Sequence, residues 1–469
     1  MNGFHIFDPS IGPGTQLLLV AALAVALGFE FVNGFHDTAN AVATVIYTRS
    51  LGPRKAVVWS GLCNFLGVQI GGTAVAFGII SLLPVDLLVS VNSARGLSMV
   101  MALLIAAIAW NLGTWLMAIP ASSSHTLIGA ILGVGLANSA MDGKGFGSGV
   151  NWGKAGEVGL SLLISPLVGF ACAAGLLLVL KKSVKSPELY QPPEGDKPPP
   201  PWIRGTLLLT CTGVSVAHGS NDGQKGIGLV MLILIGILPA RYALDPRHRP
   251  GEVARIVAAV EEAEGLIRAH VPDVDRAARL AELAELRDRL TGKVELRDVP
   301  DAERWGLRAD LIRVDESLRK IEHARGERLS GDNRAHLEHA REGLRSAVYY
   351  APTWVLMAVA TALGTGTMVG WKRIVVTVGE KIGKVHLTYA QGAAAELVAM
   401  ATIGLADYGG LPVSTTHVLS SGVAGTMAAN GTGLQWSTVR NIALAWVLTL
   451  PVCMALAAGL YTLFRWLTG

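Results

Sequence analysis

The residues able to do chemistry in this chain stand in two matched pairs of motifs. Gly34-Phe-His-Asp37 is answered by Gly219-Ser-Asn-Asp222, and Pro120-Ala-Ser-Ser-Ser-His125 by Pro412-Val-Ser-Thr-Thr-His417. Proline suits the start of a helix. The hydroxyls after it are Ser122, Ser123, Ser124 and Thr126 in the first motif and Ser414, Thr415 and Thr416 in the second. They would lie beside the unpaired N–H groups of a helix N-terminus, where the dipole is positive. That combination cradles an oxyanion such as phosphate or sulfate. The competing reading has each hydroxyl bonding back to its own helix. Duplication of the cluster, with a histidine at the same spacing, favours the cradle.

Asp37 and Asp222 then need a partner. An ionised carboxylate only accepts hydrogen bonds and repels an oxyanion. Two of them beside an anion cradle imply a cation: a proton on the carboxylate, a sodium ion, or a metal travelling with the anion. Asn40 and Asn221 can bridge both, offering an amide oxygen to a cation and N–H to an anion. Lys225 is the lone basic residue near this centre. Glu30 and Glu396 read either as further cation ligands or as helix–helix hydrogen-bond partners. His36, His125, His218 and His417 read as buried imidazoles orienting the hydroxyl loops, with proton relay as the alternative. Ser124-His125 suggests a hydrolase, but adjacent helical residues point about 100° apart, so nucleophile and base would not face each other. No Walker-type phosphate loop is present, so ATP drive is not encoded in this chain, and the expectation is a non-enzyme without a cofactor.

These polar groups lie inside apolar sequence. The 469 residues are 51% hydrophobic and 16% charged, with net charge +4. Of 39 basic residues 21, and of 35 acidic residues 22, fall between Arg241 and Ala347. The rest faces a different solvent, so the composition excludes a soluble enzyme, a secreted disulfide scaffold and a nucleic-acid binder. Cys63, Cys172, Cys211 and Cys453 sit in apolar runs without metal-ligand spacing. Thr15–Phe31 lacks a basic leader and contains Glu30, so it does not read as a cleavable signal peptide. A span needs roughly 20 apolar residues. Candidates are 15–47 (broken near Gly34), 56–83, 96–118, 121–139, 158–180, 205–239 (broken near Gly219), 351–370, 388–410, 413–430 and 441–464. The predicted fold class is an all-α polytopic membrane protein with a soluble helical insert. Asp37 and Pro120 are 83 positions apart, Asp222 and Pro412 are 190 apart, and the excess of 107 is the length of the charged segment.

The expected organisation is a first repeat over 1–180, a proline-rich cytoplasmic linker over 181–204, and a second repeat over 205–240 and 348–469 interrupted by the insert 241–347. Five spans per half makes the repeats inverted. Paired breaks in inverted repeats mark a transporter's central site. Basic clusters at Arg49, Arg54 and Lys55, at Lys181, Lys182 and Lys185, and at Lys372, Arg373, Lys381 and Lys384 all fall on one side, the cytoplasm, which puts the insert outside. Val253, Ile256, Val257 and Val260, and Leu280, Leu283 and Leu286, fall at helical spacing in the insert. Its His248, His270, His323, His336 and His339 read as surface residues.

Gly34-Phe-His-Asp-Thr-Ala-Asn-Ala41, continuing to Arg49, and His218-Gly-Ser-Asn-Asp-Gly-Gln-Lys-Gly-Ile-Gly228 resemble the signatures of the inorganic phosphate transporter (PiT) family. The two Pro-to-His segments resemble that family's paired hydroxyl loops. Gly379–Lys384 and Tyr389–Gly392 are similar to its bacterial low-affinity, proton-coupled branch. The resemblance implies symport of inorganic phosphate by alternating access, an inverted-repeat fold, a homodimer and an inner-membrane location. For that branch it implies H+ coupling and uptake of neutral metal–phosphate complexes. Asp37, Asn40, Asn221 and Asp222, with the two hydroxyl loops, occupy that family's binding positions. The residues themselves add Lys225 on the phosphate side, and Glu30, Glu396 and His36 as candidates beside Asp37 and Asp222 for cation or proton coupling. If sodium or a metal–phosphate is the cargo, Asp37 and Asp222 are the metal ligands. Many members repeat Asn-Asp in both halves; here the first half has His36-Asp37, which favours protons over a symmetric sodium site. A sodium-coupled phosphate or sulfate symporter, and a passive anion channel, remain the alternatives.

Overall fold

The computed structural model describes residues 11–82, 94–143, 145, 147–195, 197–247, 250–325 and 329–468. These are helical, with no β-strand among the described residues. The chain forms two compact units: Met1–Pro84, Leu97–Val230 and Pro352–Gly469 in one, Val85–Gly96 and Met231–Ala351 in the other.

The larger unit opens with α1 (Pro13–Asp37), α2 (Ala39–Tyr47), α3 (Pro53–Ile70), α4 (Ala74–Ile80), α5 (Ala94–Leu116), α6 (Ser123–Met141) and α7 (Trp152–Ser183). Then come α8 (Pro201–Ile237) and, after the insert, α14 (Thr353–Thr367), α15 (Lys372–Glu380), α16 (Tyr389–Tyr408), α17 (Thr415–Asn430) and α18 (Trp436–Thr468). Five helical stretches are long and apolar enough to cross a membrane, and two bent pairs qualify if each is one span. The other three predicted spans are α8 and α16, which carry polar residues mid-helix, and α17, which has 16 residues. Between α7 and α8, a 3-10 turn at Pro187–Tyr190 is held by the Tyr190 hydroxyl, which donates to Leu180 O at 2.6 Å and Val184 O at 2.8 Å.

The breaks are not where the motif glycines suggested. α8 runs unbroken through Gly219, and α1 and α2 are interrupted only at Thr38, which keeps helical dihedrals. The sharp bends fall in the neighbouring segments, 79° between α3 and α4 and 63° between α14 and α15. Gly34 and Gly219 serve close packing instead. A Cβ on Gly34 would lie 2.3 Å from Leu363 O, and one on Gly219 would lie 2.2 Å from Asn64 O. Gly67 and Gly366 complete both crossings, their Cβ positions 2.2 Å from Val216 O and 2.1 Å from Phe31 O. Helices in a bilayer lack a hydrophobic drive to associate, so small residues that allow backbone contact set the packing. The pairing has a regular form. α1 packs on α14 and α3 on α8; α6 packs on α18 and α7 on α17.

The smaller unit holds α9 (Pro239–Tyr242), α10 (Glu252–His270), α11 (Asp273–Leu290), α12 (Asp301–Arg325) and α13 (Gly331–Ser346). Val253, Ile256, Val260, Leu283 and Leu286 lie in its own apolar core, with Val257 and Leu280 packed against it. Arg308 is buried and donates to Ala243 O and Val348 O, each at 2.9 Å. Burial pushes its guanidinium down to about 10. The unit's two ends meet: Asp245 N donates to Ala347 O at 2.9 Å, and the Tyr350 hydroxyl to Tyr242 O at 3.0 Å. His336 and His339 are exposed and face Glu262, while His270 is half-buried. His248 and the side chain of His323 lie outside the described residues.

Gly219→Ala and Gly67→Ala should each lower melting of the detergent-purified protein by several degrees, since an added methyl meets backbone and overpacking costs about 1–3 kcal/mol. Gly28→Ala, whose Cβ meets nothing within 4 Å, should not lower it. Equal behaviour of the three variants would remove the close-packing account.

Candidate functional site

The centre of the larger unit is built where α1 ends, α6 and α17 begin, and α8 passes. His218, Asp222 and Lys225 sit at i, i+4 and i+7 of α8, so they form one stripe. Asp37 is the last residue of α1, Ser123 the first of α6, and Thr415 the first of α17. Asp37, Asn40, Ser123, Asn221, Asp222, Lys225, Thr415 and Thr416 are all buried.

Ser123 is the hub. Its hydroxyl lies 3.1 Å from Asp37 Oδ2 and 3.3 Å from Asp222 Oδ2, so one proton is shared between the two carboxylates. Lys225 Nζ donates to Ser123 Oγ at 3.2 Å and pairs with Asp222 Oδ2 at 2.7 Å. Asp37 also accepts from the Thr416 hydroxyl at 2.7 Å and from His36 Nδ1 at 3.1 Å. Asn40 Nδ2 donates to Thr415 Oγ1 at 3.1 Å and Thr416 Oγ1 at 3.0 Å. When the two motifs are superposed, Asn40 and Lys225 occupy the same place, three residues past the aspartate. The second half therefore carries a built-in ammonium where the first half has an amide.

The hydroxyls of the two loops divide by direction. Ser122 and Ser414 cap their helices, accepting from His125 N at 3.2 Å and His417 N at 3.1 Å. Ser122 also meets His125 Nδ1 at 2.9 Å. Ser124 donates to Val413 O at 2.8 Å, and Thr126 to Ser122 O at 2.8 Å and Asn111 Oδ1 at 3.0 Å. Only Ser123, Thr415 and Thr416 turn to the aspartates and Asn40. The His125 and His417 rings lie 4.5 Å apart, and His417 stacks on Trp446 at 4.1 Å, which fixes the two loops against each other.

The two outlying glutamates separate. Glu30 lies against α8, with its Cγ 2.2 Å from where a Gly226 Cβ would sit, and accepts from Asn33 Nδ2 at 3.4 Å. Glu396 is away from the hub and accepts from the Thr44 and Thr210 hydroxyls, tying α16 to α2 and α8.

Two further residues matter: His218, which the sequence offered only as an orienting or relaying imidazole, and Asp407, which it did not offer. His218 Nδ1 donates to Asn64 Oδ1 at 3.0 Å, which aims Nε2 at Asp222 Oδ2, 3.4 Å away, and Asp37 Oδ2, 3.8 Å away. The one-turn spacing of His218 and Asp222 was the available signal. Asp407 accepts from Ser220 Oγ, and from Gln224 Nε2 at 2.5 Å, while Gln224 Oε1 accepts from Val75 N at 2.8 Å. It pins the end of α16 to α8 and α4; its isolated position near Gly409-Gly410 gave no signal.

Ligand atoms of Asp37, His218 and Asp222 lie within 4.8 Å of one another. One imidazole and two carboxylates suit a divalent metal better than sodium, which favours oxygen ligands. Asn40 Oδ1, Asn221 Oδ1 and Asp222 Oδ1 are buried and lack a hydrogen-bond partner among the described residues. Buried acceptors are normally satisfied. This site therefore lacks donors, and a cation or a protonated anion would supply them.

A family profile described as "Phosphate transporter family" matches residues 33–457. The chain is 44% identical to "Low-affinity inorganic phosphate transporter PitA" of Escherichia coli (strain K12), over 96% of this chain and 97% of that one. It is 43% identical to "Low-affinity inorganic phosphate transporter PitB" of the same strain, over 95% and 96%. A solved structure titled "The sodium-dependent phosphate transporter" shares the fold, with TM-score 0.55, 21% identity and coverage of 96% and 99%.

Removing the capping hydroxyls should act on stability alone, and removing the inward ones on phosphate binding as well. Ser122→Ala and Ser414→Ala should lower melting, a cap being worth about 1 kcal/mol. Ser123→Ala and Thr416→Ala each strip a buried carboxylate of a donor, so they should also lower melting, by about 1–3 kcal/mol, and unlike the caps should weaken protection by added inorganic phosphate at least tenfold. The reverse pattern would reassign the two sets.

Proposed function

The chain belongs to the phosphate transporter family, and from that premise we propose that it imports inorganic phosphate by symport with protons. The observation that carries this is the hub: two buried carboxylates and a lysine joined through Ser123 at the N-termini of α6 and α17. The pieces of an anion cradle and of a proton site are the same pieces.

Phosphate enters between the two loop N-termini. Asn221, Thr415 and Lys225 supply its first donors; Ser123 and Thr416, which donate to the aspartates, turn to phosphate once a carboxylate is protonated, and Asn40, which donates to both threonines, orients them. Asp37 and Asp222 stand in its way while ionised, so protonation must accompany binding. A proton on either carboxylate turns an acceptor into a donor toward phosphate. Dihydrogen phosphate itself brings O–H groups to Asn40 Oδ1, Asn221 Oδ1 and Asp222 Oδ1. His218 is a second proton acceptor between the two acids and His36 a third, bonded to Asp37. Lys225 already pairs with Asp222 at 2.7 Å, so Asp37 is the carboxylate left to take the coupling proton. The ligand set Asp37, His218 and Asp222 favours a divalent metal when the cargo is a neutral metal–phosphate complex; the metal is then cargo, and His218 its nitrogen ligand.

The pairing of α1 with α14 and α3 with α8, and of α6 with α18 and α7 with α17, supports two inverted repeats that exchange places about a pseudo-twofold axis. Alternating access then follows from rocking one repeat against the other around the hub, with the bends after α3 and α14 as hinges. The same reading places the chain in the cell inner membrane, as a homodimer, with the insert on the outer side.

Labelled phosphate uptake into proteoliposomes tests this. Uptake should follow an inward proton gradient in sodium-free buffer and should not follow a sodium gradient at equal pH. Asp37→Asn should abolish uphill uptake while the protein still inserts and melts normally. His218→Gln should reduce uptake of divalent metal with phosphate more than uptake of phosphate alone. Uphill uptake by the Asp37 variant would end the coupling reading, sodium dependence would replace the ion, and an uncoupled anion current would replace the symporter with a channel.

A further inference from the structure

Away from the hub, the end of α5 and the bend between α14 and α15 border an open cleft of about 600 Å³ lined by Trp115, Trp371, Lys372, Arg373 and Lys381. Three positive charges face it, and no carboxylate among the described residues pairs with any of them. Glu380, the acidic residue of the same short helix, is engaged by the Tyr47 hydroxyl. Arg373 is held in place: its guanidinium lies 5.1 Å over the Trp115 ring, and its Nη1 donates to Leu116 O at 2.9 Å. Lys372 and Lys381 are exposed at the rim.

One boundary of the cleft is the end of α5, a helix long and apolar enough to cross a membrane, and the other is the bend of a broken apolar pair; tryptophans gather where a span leaves the bilayer. Beside the cations, Leu116, Met117 and Val369 are each more than half exposed. A cationic cleft next to exposed apolar surface at the end of an apolar helix fits a ligand with a phosphate group and acyl chains. We propose that the cleft binds the phosphate headgroup of an anionic phospholipid. Free inorganic phosphate shares the charge but has nothing to set against the apolar rim.

The cleft also touches the site. Trp115 packs edge-on against Phe35 at 5.1 Å and donates from its indole N–H to Gly370 O at 2.8 Å, across the α14–α15 bend. The preceding residue, Thr114, meets His36 Nε2 at 3.1 Å, and His36 Nδ1 meets Asp37. A headgroup seated on Arg373 and Trp115 steadies the bend and, one residue away, the imidazole that holds Asp37. This second step rests on the transport reading; the binding does not.

The test counts bound lipid on the detergent-purified full chain by native mass spectrometry, with phosphatidylglycerol, phosphatidylcholine and inorganic phosphate as separate additions. The parent should prefer phosphatidylglycerol. The double variant Lys372→Gln/Lys381→Gln should lose that preference, on the order of tenfold in affinity for two basic residues at an anionic surface. The control Lys181→Gln/Lys182→Gln, in another basic cluster, should keep it. Unchanged preference in the first variant, equal loss in the control, or displacement of bound phosphatidylglycerol by inorganic phosphate would overturn the proposal. In proteoliposomes, phosphatidylglycerol should raise the parent's phosphate uptake and not that of the Lys372/Lys381 variant. Uptake that ignores the lipid while binding persists would overturn the coupling to His36. Binding is read without transport, so failure of the lipid site and failure of the phosphate reading are told apart.

Discussion

Everything in the larger unit answers to two carboxylates set side by side where water is scarce. Unpaired charge at membrane depth is expensive, and two like charges more so. The surrounding sequence meets this with one ammonium, one shared serine proton, one threonine hydroxyl and two imidazoles. None of these groups is redundant, because each lone pair of Asp37 and Asp222 that lacks a donor must find one in whatever arrives. Asn40 Oδ1, Asn221 Oδ1 and Asp222 Oδ1, without a partner among the described residues, mark where that arrival is felt. Stability and cargo recognition thus draw on the same deficit.

Such a cluster holds only if the helices that carry it cannot drift. The glycines of the two motifs provide this. At Gly34 and Gly219 a backbone carbonyl of the neighbouring helix occupies the space a side chain would fill. Thr38 reinforces the first crossing, donating to Gly34 O at 2.8 Å and Thr367 O at 3.0 Å. The motif helices are the fixed frame, and the chain bends in the segments packed against them.

Much of this was legible in the residues. Two short motifs, repeated with a spacing offset equal to a charged insertion, located Asp37, Asp222 and both hydroxyl loops, and apolar runs located the helices. Repetition is strong evidence because chance does not copy spacing. The direction of each hydroxyl was not legible: Ser122, Ser123 and Ser124 are identical in type, and only the turn of α6 decides which one caps, which faces Asp37 and which reaches Val413. The expected breaks at Gly34 and Gly219 failed because glycine permits both unwinding and close approach, and sequence does not say which is used. His218 was noticed as a histidine, not as a neighbour of both acids, since its partner Asp37 lies far along the chain. Asp407 had no pattern around it at all.

The clasp formed by Asp245 with Ala347 and by Tyr350 with Tyr242 has a consequence for how such chains acquire extra parts. A module whose entry and exit lie side by side, with an apolar core of its own, spans no gap in its host. To the rest of the polypeptide it is a short turn, whatever its length, because the entropy of closing that long loop is met inside the module. That position is where chain growth is tolerated, and where a reporter domain could be exchanged for the native one without disturbing the helices around it.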